Sequence, residues 1–380
     1  MKVFVLTLLT LVSISAFGQK ILVPFQKPMA KRWVCMSQDG SIAFEAKYST
    51  ILPFSEGYAA VMSDPARTWA FIDPTGAELS IPIKRWEPAT FELGEKGFHG
   101  GVARIMARRK FGCINTKGEV VHEPTYDFIS AFVDGIATAK LGRDFFILST
   151  DGNAKMLSTP MVAIKRFSEG LAQFRSPEGL FGLIDTKGEV IVEPIYKSMG
   201  LFFDGAAWIK ETSGLVGYID KTGTVIIQPK YEMAGNLDPI SHCARVRKNG
   251  AWSYVSRSGQ EIQADNATSF GEFSEGFAYL RVDNGFGFID KDGKWLVEPV
   301  YSQVKPFSDG MAAVQLGRVW GFINAKGEEV VPPTFVAIRP FKNGYAAVST
   351  QRDKWGIIDK DGKWLLEPRY GTFKDVSVLP

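Results

Sequence analysis

The strongest constraint on the fold is repetition. The phrase GFGFIDKDGKWLVEPVY at 285–301 returns as KWGIIDKDGKWLLEPRY at 354–370. Aligned on its first aromatic position, the phrase falls at Trp33, Trp69, Phe111, Phe145, Phe181, Val216, Trp252, Phe286, Trp320 and Trp355, with spacings of 36, 42, 34, 36, 35, 36, 34, 34 and 35. A fixed period of this length marks a repeat array rather than a set of unrelated domains. Ten copies of about 35 residues fill nearly all of 19–380, and the longest spacing places one insertion near 83–100.

Each copy has three parts. The first reads like FSEG followed by an alternating apolar run, as at Phe54–Gly57, Phe167–Gly170, Phe273–Gly276, Phe307–Gly310 and Phe341–Gly344. The second is WGFID, and the third reads xWLVEPxY. The segment Pro24–Ala30 aligns with Pro306–Ala312, with Pro28 at the glycine position, so the array is expected to begin and end on unit boundaries. Between the second and third parts, Asp, Asn or Ser is followed three residues later by glycine, as in Asp290/Gly293 and Asn324/Gly327. A side-chain oxygen that caps a type I turn and a glycine that supplies positive φ make this a short hairpin with a glycine bulge.

The runs flanking that turn are aromatic and β-branched, as strands are, and helix signals are nearly absent. Each unit is therefore expected to form three short antiparallel strands, too few to be stable without stacking on neighbours. The fold class that follows is an all-β tandem array of about ten three-stranded units. An open, curved or superhelical array is the first expectation, because ten units exceed the usual four to eight blades of a propeller. A propeller-like closed ring is the alternative.

Within WGFI, glycine separates two same-face residues in six copies, at Gly112, Gly182, Gly217, Gly287, Gly321 and Gly356. A glycine inside a strand implies that another group comes close, and an aromatic ring from a neighbouring strand or unit is the expected occupant. Cys35 and Cys113 stand where other copies carry Phe71, Phe288 or Phe322, so they are read as small core residues. The motifs WGFIDKDGKWLVEPxY and FSDGxAAV resemble the WG-repeat family of bacterial β-repeat proteins. The resemblance spans 24–373 and weakens in the copies where Val34, Ala70, Phe146 and Ser253 replace the glycine. It implies a β-repeat architecture with an interaction role and supplies no catalytic residues.

Residues 1–18 carry one charge, Lys2, then an apolar run and a small-x-small site at Ala16–Gly18, the pattern of a secretory signal peptide. The chain is thus expected to be exported to a periplasm, a cell surface or the medium. No later run reaches the roughly 18 apolar residues of a membrane span. Without Lys2 the formal charge falls from +3 to +2, which argues against nucleic acid as a partner. Three cysteines are poor material for a disulfide framework.

Motifs that suggest chemistry have plainer readings. Asp290–Gly293 and Asp359–Gly362 resemble part of a calcium loop, but the third carboxylate is missing and Glu298 and Glu367 fall one position early. Turn chemistry accounts for them. His99, His122 and His242 occupy unrelated unit positions, and nothing in their spacing assembles a triad or a metal site. Glu123, Glu193, Glu298 and Glu367 precede proline at unit period, which marks structure rather than catalysis.

Two basic clusters, Arg104/Arg108/Arg109/Lys110 and Arg245/Arg247/Lys248, lie where strands of a unit join. They are solvated hairpin tips or a docking patch for an acidic partner. Trp86 and Trp208 depart from the repeat and are candidates for a surface that stacks on a ligand. The function expected is a non-enzymatic binding scaffold for a protein or an envelope polymer, with no cofactor. The alternatives are a glycan-binding module and a polymer-active enzyme. A deep cavity lined by unrepeated carboxylates or histidines would favour the enzyme.

Overall fold

The structure, a computed structural model, describes residues 20–26, 32–37, 41–44, 48–89, 97–264, 266–283, 285–352, 354–373 and 376–379. The leader at 1–18 and Pro28 lie outside the described residues. Every regular element among those described is a strand, and the strands form ten small antiparallel sheets.

Blade 9 shows the unit. Its strands are Gln303–Val304, Met311–Leu316, Val319–Asn324 and Glu329–Phe335, paired in sequence order. The third and fourth strands meet at the predicted turn. In the corresponding turn of blade 8, Asp290 Oδ1 accepts the amides of Asp292 and Lys294, both at 2.9 Å, and Gly293 N donates to Asp290 O at 3.0 Å. The aspartate of the calcium-like phrase therefore serves as a turn cap.

The unit has one strand more than the three expected. The FSEG phrase is itself a two-residue hairpin turn, with Ser308 and Met311 exchanging backbone hydrogen bonds of 2.9 and 3.2 Å. Its central residues, Asp309 at φ 56° and Gly310 at φ 76°, are both left-handed, as a type I′ turn requires. The short strand before it, Gln303–Val304, pairs with Gln315 and Val314.

Strand periodicity divides the core between neighbours. Trp320 and Phe322 pack with Phe341, Val348 and Ile358 of blade 10, whereas Ile323 packs with Phe288 and Tyr301 of blade 8. The phenylalanine of several FSxG phrases meets the preceding blade edge-on, as Phe341 meets Phe322 at 4.8 Å and Phe307 meets Phe288 at 5.0 Å. Cys35 and Cys113 are fully buried in two such layers.

The layers close on themselves. Ile357 and Leu366 of blade 10 pack against Ile21, Val23 and Met36 of blade 1, and blade 1 packs against blade 2 through Leu22, Cys35, Tyr48 and Ile51. Of the two expected arrangements, the closed ring is the one formed: a ten-bladed β-propeller rather than an open array. The N-terminal alignment also changes. Lys20–Gln26 pairs with Trp33–Ser37 in the register of a second strand, not as an FSDG phrase. The missing first strand of blade 1 is Thr372–Phe373, which pairs with Phe25 and Gln26, and Ser377–Leu379 pairs with Lys20–Leu22. Blade 1 is therefore built from both ends of the chain.

The strand glycines face backbone more than rings. A Cβ on Gly321 would lie 2.4 Å from Val331 O and 2.7 Å from Pro333 N; on Gly217 the values are 2.4 Å to Ile227 O and 2.7 Å to Pro229 N. The cause is a bulge at the proline of the fourth strand, Pro333 opposite Gly321 and Pro229 opposite Gly217. Trp320 and Phe322 are two positions apart, but their partners Phe335 and Val331 are four apart. An aromatic ring joins the backbone only in some copies, such as Phe174 at Gly182 and Trp295 at Gly287. All six glycine copies have a seven-residue fourth strand with this bulge. In the copy with Ser253 the fourth strand shrinks to Glu261–Ile262 and pairs straight, as does Ala154–Met156 beside Phe146. Gly217→Ala is thus expected to destabilise the ring by about 1–3 kcal/mol through overpacking, and Ser253→Ala by less than about 1 kcal/mol. Denaturant unfolding of the two variants checks this contrast.

Candidate functional site

Departures from the repeat concentrate at two places on opposite ends of the blades. Turns between first and second strands and between third and fourth strands share one end; hairpins between second and third strands share the other. At the second end, the junction of blades 2 and 3 is bordered by Trp86–Pro88, the first strand of blade 3, which pairs with Ile105–Ala107; Phe98–His99 pairs with the same strand further along.

This junction encloses a cavity of about 500 Å3. Its walls carry Arg67, Arg85, Arg108 and Arg109 around Trp69 and Trp86, with Glu87 as the one carboxylate. Trp86 is held flat against Phe71, centroid to centroid 5.1 Å at 12°, so its other face is left for the cavity. All four arginines are exposed. All four also sit in left-handed backbone, at φ 53°, 54°, 52° and 64°, which costs a non-glycine residue on the order of 1 kcal/mol. Among the described residues no carboxylate forms an ion pair with any of them. Unpaired guanidinium groups offer bidentate donors to carboxylate, sulfate or phosphate, and they stack on aromatic faces.

The predicted site residues divide. Trp86, Arg108 and Arg109 meet in this cavity. Arg104 is buried and donates to Ile129 O at 2.9 Å, while Lys110 pairs with Asp127. The second cluster is already paired with neighbouring groups. Arg245 lies 4.4 Å over Trp252 and 2.7 Å from Glu272, Arg247 pairs with Glu232 at 3.5 Å, and Lys248 with Glu261 at 3.3 Å. Trp208 covers Gly200, where a Cβ would lie 2.3 Å from its indole nitrogen. It borders a separate cavity of about 420 Å3 with Phe203, Leu237 and Glu272. Arg67, Arg85 and Trp69 were not singled out from sequence, although Arg85 lies inside the insertion and Arg67 is two residues before Trp69.

The histidines are more informative in space than in sequence. His122 Nε2 is 2.8 Å from Ser149 O and belongs to the core. His242 Nδ1 lies 2.6 Å from Asp204 Oδ2, at the other end of the blades, in a cavity that also contains Arg257 and Lys291. The glutamates before proline, Glu123, Glu193, Glu298 and Glu367, point outward.

The model of the WG containing repeat matches residues 33–64, 111–143, 181–213, 217–252, 286–318, 320–355 and 355–377, more than half of the chain. The chain belongs to the WG-repeat family. None of the curated proteins compared with it matches in sequence. Among solved structures, a eukaryotic initiation factor is 10% identical, covers 95% of this chain and 99% of its own, and superposes with a TM-score of 0.51. BamB from Moraxella catarrhalis is 11% identical over 82% of this chain and 91% of its own, with a TM-score of 0.35. At such identities the likeness speaks for fold alone, and the initiation factor is the one that carries it.

The cysteines of this WG-repeat protein are unsuited to nucleophilic chemistry. Burial pushes the Cys113 thiol up to about 12, against the opposing pull of Arg104, and the Cys243 thiol up to about 11. Since the thiolate is the reactive form, neither should be alkylated by iodoacetamide in the folded protein at pH 8. Labelling counted by mass spectrometry is expected to appear only on unfolding.

Proposed function

We propose that the protein is a non-enzymatic binding scaffold, exported from a bacterial cell, that grips an acidic protein or envelope polymer. The observation that supports this reading is the cavity between blades 2 and 3, where four arginines without ion pairs surround two tryptophans. Formal charges of four arginines against Glu87 leave +3 there, in a chain whose total is only +3. Such local excess steers and holds an anionic partner, and the tryptophans add apolar contact. They are also what a glycan-binding reading would use, since an indole face accommodates a sugar ring. Export is supported by the composition of residues 1–18.

The enzymatic alternative would have to draw on His242, which Asp204 orients. Among the described residues no hydroxyl or thiol is hydrogen-bonded to that imidazole, and the neighbouring Cys243 stays protonated. Binding is therefore the stronger reading.

Fluorescence anisotropy with a labelled polyglutamate peptide and with polygalacturonate tests it. The double variant Arg108→Ala/Arg109→Ala is expected to bind the preferred polyanion at least roughly tenfold more weakly and with a flatter salt dependence. Unchanged affinity in a folded double variant would contradict the proposal.

A further inference from the structure

On the opposite end of the blades, neighbouring units are joined by a recurring clasp. In several blades the acidic residue of the FSEG turn accepts amides from the same turn of the next blade. Glu275 takes the amides of Asp309 and Gly310, both at 2.7 Å, Glu56 those of Gly100 and Gly101 at 2.6 and 2.8 Å, and Glu169 that of Gly205 at 2.9 Å. A lysine from the next blade's third-to-fourth turn often completes the clasp: Lys221 lies 3.0 Å from Glu169 and Lys360 lies 2.7 Å from Asp309.

Blade 7 keeps the reach to the next blade but changes the turn that makes it. Its turn reads LDPISH in place of FSEG, two residues longer between the same strands. Asp238 is drawn inward, where it accepts Ser241 N at 2.7 Å, Ser241 Oγ at 2.8 Å and the amides of Glu275 and Gly276 at 3.0 and 3.1 Å. Lys291 of blade 8, the counterpart of Lys221 and Lys360, consequently pairs, among the described residues, with its exposed neighbour Asp292 alone, at 2.9 Å, a contact worth about 0–1 kcal/mol. Asp204 of blade 6 meets an imidazole instead of an amide. Arg257 donates to Asp204 O and lies 3.7 Å from the Asp204 carboxylate. Asp204 is only 16% exposed, against 55% for His242 and 39% for Arg257. The carboxylate thus stands behind the two groups and orients them outward. His242 is itself held in left-handed backbone, at φ 58°.

The result is a cavity of about 630 Å3 built by three blades. The Arg257 guanidinium, the Lys291 ammonium, the His242 ring and the Ser256 and Ser258 hydroxyls, 2.8 Å apart, converge on it, and Ile262 closes part of its wall. We propose that this cavity is a second binding site, specific for a phosphate monoester on a small polar body. A phosphate monoester carries a charge of about −1.5 to −2 and three strong acceptor oxygens, which match the donors of Arg257, Lys291, His242, Ser256 and Ser258, with Asp204 set behind the imidazole and the exposed Asp292 at the rim as the two carboxylates of the lining. The volume exceeds what phosphate alone would fill and suits a sugar-sized body.

The test is calorimetric titration of the full chain with glucose 6-phosphate, with glucose and glucuronate as comparison ligands. Saturable binding of the phosphate ester is expected, with glucuronate at least about tenfold weaker and glucose silent. Lys291→Gln should weaken the phosphate ester about tenfold, the loss of one charge-assisted contact. Ala325 fills the same turn position in blade 9, so the fold does not need a lysine there. Lys326→Gln, which removes an equal charge from the same face of blade 9, should leave the affinity unchanged. No heat with glucose 6-phosphate up to about 10 mM would overturn the assignment. So would glucose or glucuronate binding as tightly, an unaltered affinity in Lys291→Gln, or an equal loss in Lys326→Gln.

Discussion

The structure depends on the contact between a strand glycine and the bulged backbone opposite it. At Gly321 the carbonyl of Val331 and the nitrogen of Pro333 occupy the space of a side chain. The bulge is what lets a seven-residue fourth strand pair with a shorter stretch of the third. Glycine and the bulged proline segment are therefore one device written at two places in the unit. Proline also keeps this edge strand from pairing with another chain, since it presents no donor. In blades 4 and 7, where Phe146 and Ser253 replace the glycine, the bulge is absent as well.

On that scaffold, closure comes from two further relations. Side chains on alternating sides of each third strand fill alternate inter-blade layers, so every blade is held by both neighbours. The C-terminal strands complete blade 1 by pairing with Lys20–Gln26. A ring has no terminal unit with an unmatched apolar face, which is the problem that open arrays solve with caps. The hydrogen-bonded clasp between FSEG turns adds direction, because each carboxylate reaches the following blade. Its acidic residues accept left-handed backbone at the first turn position in exchange for that reach.

Much of this was legible in the residues. Period, strand class and the glycine-bulged turn follow from local rules, and Asp290 and Gly293 behave as those rules require. The fourth strand was not seen, although Asp-Gly and Glu-Gly at unit period are a type I′ signature. Closure was hidden for a different reason. It depends on pairing between Phe25 and Phe373, and no local pattern reports a contact across the whole chain. Aligning Pro24–Ala30 with an FSDG phrase concealed the spare strand that makes it possible. For the sites, Trp86, Arg108 and Arg109 stood out by departing from the pattern, whereas Arg245 and Arg247 stood out equally and are internally paired. Sequence shows that a residue is unusual; whether it is already partnered is set by neighbours in the next blade.

The repeated residues thus account for the ring, and chemistry gathers where blades 2–3 and 6–8 depart from it. That division rests on glycine and bulge being one unit. The most direct measurement is a double-mutant cycle in blade 9, with Gly321→Ala, excision of Pro332 and Pro333, and both together, read by denaturant unfolding. The account predicts that the alanine costs at least about 1 kcal/mol in the native background and much less once the bulge is excised, a coupling of about 1 kcal/mol or more. An equal cost in both backgrounds would contradict it.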